Sequence, residues 1–330
     1  MNKQIDSIIK SKKIYYFIFL VVLIYVILLF YADFNNIIEG IKKISFINIV
    51  SLFFLALAAH FMSFSRFRFI LRNIGISVPS KNVSRIYLSC WSMFFAPAKS
   101  GELIKSFFLK KLHDVSYRKT APIVFVEQFS DLIVVFLLSI LGVIMFGIFS
   151  LNQVIFVFGF AVIIIISVII LLSSKKLVKT LLKFIAKIKL FKKPAITLYD
   201  MYLNAGNLIK PRILLTSIVY SFGFWFFMSM VLSTVLNIFD VRLILFVPIS
   251  IFALSTLIGT LSFIPAGVGS MEASVLFLLI GQGVPKSIAV ISIIITRLFT
   301  LWFGVLMGLF AMWMLNKKIS LSEKTKALKE

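Results

Sequence analysis

Acidic side chains, thiols and imidazoles are scarce in this sequence. Its 330 residues include 12 Asp and Glu against 35 Lys and Arg, with two histidines and one cysteine, Cys90. A lone cysteine excludes a disulfide scaffold. His, Cys and carboxylates nowhere recur at metal-ligand spacing, and neither a glycine-rich phosphate loop nor a nucleophile–base pair stands out. No metal, cofactor or covalent catalysis is therefore expected. Charge itself is thin, at 14% of residues against about 25% in soluble domains. So few polar groups cannot clothe a soluble surface, which excludes a soluble enzyme and a disordered tail.

What is abundant is apolar. Hydrophobic residues make up 61% of the chain, and phenylalanine alone occurs 37 times. Lipid must be the solvent for most of it. The formal charge of +23 points elsewhere than nucleic acid, because the basic residues fall between apolar runs, as they do in cytoplasmic loops of polytopic membrane proteins.

Six full spans are predicted. The first, residues 14–31, follows Lys3, Lys10, Lys12 and Lys13. It exceeds the apolar core of a secretory signal and no small-residue cleavage site follows, so it reads as a retained helix. The others cover about 46–64, 119–149, 153–172, 213–239 and 287–315. Arg66, Arg68 and Arg72 read as the cytoplasmic exit of the second. Two segments, 83–112 and 241–284, lie between ends assigned to the same side. Each breaks at a Pro/Gly cluster, so each reads as a re-entrant hairpin. This arrangement puts most of the basic residues, and both termini, on the cytoplasmic face of the cell membrane.

The breaks resemble each other: Pro97-Ala98-Lys99-Ser100-Gly101-Glu102, and Pro265-Ala266-Gly267-Val268-Gly269 leading to Glu272. Span, hairpin and span thus occur twice, entering from opposite faces. An inverted repeat with units of about 46–149 and 213–315 is expected, and paired interrupted helices point to a transporter's central site. The fold class is all-α: a single polytopic domain over 1–330, with six spans and two re-entrant hairpins.

Ionisable groups lie deep in this scheme. Glu127 and Asp131 fall about 12 and 18 Å past Lys119, and Arg297 about 16 Å past Lys286. Glu127 and Asp131 share a helix face and would repel, so Arg297 is expected to bridge them unless one is protonated. Glu102 and Glu272 follow the breaks, where half-helix N-termini favour carboxylates. Lys99 at the first tip and Lys105 are cations available to an anionic head group. All seven are candidate translocation residues, with Pro97, Gly101, Pro265, Gly267 and Gly269 shaping the breaks. The same charges would also serve to lock the halves together. His60 reads as a packing residue.

Residues 175–210 form a basic cytoplasmic linker. Lys175, Lys179, Lys183 and Lys187 recur every four residues beside Leu177, Leu181, Phe184, Ile185, Ile188 and Phe191. That pattern is an amphipathic helix suited to an anionic leaflet, although positive-inside topology alone explains the lysines equally well.

At these residues the chain resembles the lysylphosphatidylglycerol-synthase transmembrane family, flippase-like membrane proteins of bacteria and archaea. Pro97 to Lys105, Glu127 to Asp131, Pro265 to Glu272 and Arg297 to Thr300 are similar in order to the family's P-x-x-x-G-E-x-x-R, E-R-x-x-D, P-x-G-x-G-x-x-E and R-x-x-T/S elements. Lys105 and Gln128 stand where arginine is usual. Lys105 keeps the charge without the planar fork; Gln128 loses it. The resemblance implies movement of an anionic, aminoacylated or polyprenyl-linked lipid between leaflets. Family members that make the aminoacyl lipid carry a separate soluble domain, and only about fifteen residues follow the last span, so synthase activity is not expected. The alternatives are a membrane enzyme using Glu102, Glu127 or Asp131 as acid or base, and a scaffold for a glycosyltransferase. Membrane lipids are the expected partners. Self-association and a lipid-modifying enzyme partner are compatible with this reading.

Overall fold

A computed structural model describes residues 23–26, 40, 42–93, 101–145, 159, 174–186, 208, 210–262 and 264–327. All regular structure among the described residues is helical. Four stretches are long and apolar enough to cross a membrane: Phe46–Asn73, Lys119–Leu141, Pro211–Ile238 and Lys286–Lys317. These coincide with four of the six expected spans. The expected spans at 14–31 and 153–172 lie outside the described residues, apart from 23–26 and 159.

Helix α1 (Phe46–Asn73) begins where the Ser45 hydroxyl accepts the Asn48 N–H at 3.3 Å, satisfying one of the orphan donors of a helix start. It ends at Gly75, whose φ of 73° lets Ile76 N–H reach back to the Leu71 carbonyl at 3.0 Å. Its sides divide sharply. Phe46, Ile47, Phe54 and Phe61 are exposed, whereas Leu52, Ala56, Ala59, Ser63, Phe67 and Ile70 are buried. In an aqueous protein that exposed strip would be a liability; in a bilayer it faces acyl chains.

Helices α2 (Ser80–Ser89) and α3 (Ile104–His113) flank the first interruption, with a 3₁₀ turn at Cys90–Met93 closing α2. Pro97, Lys99 and their neighbours at 94–100 lie outside the described residues. Gly101 is buried against Met93, and a Cβ on it would collide with the Met93 carbonyl group. The long helix α4 (Tyr117–Met145) follows. It carries Glu127 and Asp131, and Pro122 lies inside it, where the ring removes the N–H that would bond the Arg118 carbonyl.

Helix α5 (Lys175–Ile185) starts at Ser174, whose hydroxyl accepts the Leu177 N–H. Helix α6 (Pro211–Ile238), opened by proline in its first turn, packs along α1 and α4 and is central to the molecule. Its Val231, Leu232, Val235 and Leu236 are all fully or almost fully buried.

The second interruption is completely placed apart from Phe263. Helix α7 (Phe246–Leu261) stops at Ser262, a 3₁₀ turn covers Pro265–Gly267, and α8 (Ser270–Gly281) leaves it. Ala266, Gly267 and Gly269 have φ of 58°, 62° and 91°. This left-handed run breaks the backbone at the expected motif. Gly267 is required for a second reason: a Cβ there would stand 3.0 Å from the Gly259 Cα of α7.

The final rod comprises α9 (Lys286–Arg297), one π turn at Leu298–Trp302, and α10 (Phe303–Ala327). Gly304 and Gly308 lie one turn apart on it, and their missing side chains leave a notch for the first interruption. A Cβ on Gly304 would meet the Trp91 ring at 2.8 Å, and one on Gly308 would strike the Ser92 backbone nitrogen. Small residues spaced this way allow close backbone approach in membrane helices. Here the approach is intramolecular.

Candidate functional site

The buried charges of α1, α3 and α4 form a chain of alternating sign. The Arg66 guanidinium grips Asp131 with two bonds, Nη1 to Oδ1 at 2.6 Å and Nη2 to Oδ2 at 3.2 Å. Its Nε lies 3.8 Å from Glu127 Oε1, and its Nη1 also donates to the Ser221 hydroxyl of α6. Glu127 Oε2 accepts from Lys105 Nζ at 2.6 Å, and Lys105 reaches Glu102 Oε2 at 3.2 Å. Gln128 donates its amide to the other Glu102 oxygen. Arg66 and Lys105 are each 3% exposed and Glu127 is 0% exposed. Charges so deeply withdrawn persist only when paired, because the desolvation of each costs several kcal/mol. The fork-to-fork Arg66–Asp131 geometry is the strongest such pairing available.

A second ion pair sits at the other interruption. Glu272, in the first turn of α8, accepts the Gly269 N–H at 2.7 Å and the Arg297 Nε–H at 2.6 Å. One carboxylate thus caps the half-helix and holds the last span. Arg297 Nη2 also donates to the Ala266 carbonyl at 3.4 Å, inside the broken segment.

These positions correct the expectations for Arg297 and Arg66 and refine that for Glu102. Arg297 does not bridge Glu127 and Asp131; Arg66 does, and Arg297 belongs to Glu272. Arg66, expected at a cytoplasmic exit, lies inside the protein because α1 continues for seven residues beyond it. Glu102 engages Lys105 and Gln128 side chains, whereas Glu272 performs the expected capping. Gln128, although uncharged, contributes as a donor to Glu102. His60 packs as expected, 4% exposed, with its ring edge-on to Trp91 at 4.7 Å and Nδ1 3.4 Å from the Tyr87 hydroxyl. Among the partners of this charge chain, Arg66 and Ser221 are the residues that sequence reasoning missed. Ser63 and Ile70 lie on the helix face of Arg66, but three arginines closing an apolar run read equally well as an exit.

Both charge groups open onto one cavity of about 420 Å³. Arg66, Glu102, Lys105, Gln128 and Asp131 line it from one direction; Pro265, Ala266, Gly267 and Arg297 line it from another. Tyr87, Trp91, Phe224 and Trp225 contribute aromatic wall, and Thr256, Thr260 and Thr300 contribute hydroxyls. The four sequence elements that stood far apart in the chain therefore converge on a single space. Its volume falls within the range of about 300–1,000 Å³ typical of small-molecule sites, and it is large enough for a polar head group.

The family model for the lysylphosphatidylglycerol synthase transmembrane region matches residues 18–308. The chain belongs to that family. The match corresponds to the transmembrane region, in agreement with the four membrane-length helices, and this is a membrane protein. No curated protein matches the chain.

Proposed function

We propose that this protein is a lipid flippase or translocase, working without ATP, that carries the head group of an anionic, aminoacylated or polyprenyl-linked lipid through the cavity between the two interruptions. The observation that carries the reading is convergence: both broken helices, both ion-pair groups and an aromatic wall meet around one space of head-group size. Acyl chains would remain in the surrounding lipid while Arg297 and Lys105 engage the polar end. Each cation is already held by a carboxylate, so a head-group phosphate would compete for it. Such exchange suits transient binding better than tight capture.

In this reading the two interrupted segments are re-entrant hairpins of an inverted repeat, with units 46–149 and 213–315, within six spans. The termini face the cytoplasm and the membrane is the cell membrane. Conformational alternation of the hairpins would expose the cavity first to one leaflet and then to the other, as in transporters built from repeats. Enzymatic acid–base chemistry is a weaker reading because Glu102, Glu127 and Asp131 all face cations, which favours a binding role. Association with itself or with a lipid-modifying enzyme is compatible with the proposal.

The test is lipid movement in vesicles reconstituted with purified protein. Arg297→Ala is expected to abolish movement, and Arg297→Lys to retain part of it. Unchanged movement in a well-folded Arg297→Ala protein refutes the proposal. Mass spectrometry of lipids retained on gentle purification would identify the cargo.

A further inference from the structure

No residue of helix α5 lines the cavity, and translocation gives it no task. It nevertheless has three distinct edges. Lys176, Lys179 and Lys183 are exposed and fall within roughly 60° of arc at 3.6 residues per turn. Leu177, Leu181 and Phe184 occupy a second arc of similar width, and they are 46%, 42% and 67% exposed. Between these arcs, Val178 is buried while Leu182 and Ile185 are half-buried. The Val178 edge is thus the inward one. The apolar and basic edges are both presented outward.

We propose that α5 is a lipid-binding surface that lies in the head-group layer of an anionic leaflet. Leu177, Leu181 and Phe184 enter the acyl boundary, and Lys176, Lys179 and Lys183 bind acidic head groups. Water is the wrong solvent for three large apolar side chains on an 11-residue helix, and neutral hydrocarbon is the wrong solvent for three ammonium groups. Only an interface satisfies both edges, and anionic head groups complement the lysines. Nothing in this depends on what occupies the cavity, so the surface stands or falls independently of the translocation reading.

The single cysteine makes a clean test possible. In a Cys90→Ser background, Leu181→Cys would carry an environment-sensitive fluorophore on the full-length protein. The protein is reconstituted into phosphatidylcholine vesicles containing increasing phosphatidylglycerol. Nitroxide lipids labelled near the head group should quench the probe more strongly than those labelled deep in the chain, and quenching should rise with phosphatidylglycerol. Lys176→Gln, Lys179→Gln and Lys183→Gln should each weaken the apparent phosphatidylglycerol affinity by about fivefold, while the triple lysine-to-arginine variant should retain it and show that the helix remains folded. A probe quenched by aqueous iodide regardless of lipid composition overturns the proposal. So does a probe shielded from iodide yet untouched by nitroxide lipids, which would mean that a protein covers this face.

Discussion

Removing the charge of Glu272 should expose how much the second ion pair contributes. Glu272→Gln keeps the shape and an acceptor oxygen for the Gly269 N–H, but leaves Arg297, 6% exposed, without its anion at 2.6 Å. Breaking one side of a buried pair costs about 3–5 kcal/mol, and a lone cation deep in a bilayer about 2.5–3.5 kcal/mol. A loss of about 3 kcal/mol is expected. Arg297→Gln should cost less, about 2 kcal/mol, because Glu272 retains the Gly269 N–H and the favourable end of α8. The double variant removes both charges and should lose only about 2 kcal/mol in total, giving a coupling energy near 3 kcal/mol. Cys90, 6% exposed, supplies the assay. A maleimide dye should react with it far faster on unfolding than in the native protein, so denaturant titrations of purified protein report stability. Additive losses, with coupling below about 0.5 kcal/mol, would refute the claim that the two side chains stabilise each other.

Three further outcomes follow from local geometry. Gly267→Ala should destabilise by about 1–3 kcal/mol, because alanine must adopt a φ of 62° and push against Gly259; the same thiol assay checks it. Gly308→Leu should displace the Cys90–Met93 turn from α10 and sharply raise Cys90 labelling in the native protein, whereas Gly281→Ala, with open space around it, should not. At the exposed end of α3, Lys110 Nζ lies 2.6 Å from Asp114 and holds that carboxyl below its usual 3.8. A lowered folded-state pKa stabilises the protein above the ordinary value and loses that effect as pH falls through the lowered one. The small midpoint difference between wild type and Asp114→Asn should therefore shrink on acidification and with added salt.

Much of this architecture was legible because bilayers impose simple rules. Apolar run length placed spans at about 46–64, 213–239 and 287–315, over the helices observed at 46–73, 211–238 and 286–317, and the Pro265–Gly269 cluster marked a backbone break that φ values at Ala266, Gly267 and Gly269 bear out. Glu272 was readable as a cap, since its position in the first turn is local information. Pairing across helices was not. Rise per residue places Asp131 and Arg297 at depths along separate helices, but says nothing of their rotation, and rotation turned Arg297 toward the neighbouring α8. Arg66 was hidden by its company: three arginines after an apolar run resemble a cytoplasmic exit whether or not the first is buried. Only Asp131 and Ser221, contributed by α4 and α6, distinguish the cases.

The seating of Trp91 and Ser92 in the Gly304–Gly308 notch joins an early part of the polypeptide to its last long rod, while α1 and α6 clasp one another between them. Scission between α5 and α6 would leave each of those joints intact. The two fragments should therefore copurify after protease nicking, and should reassemble when produced from separate genes.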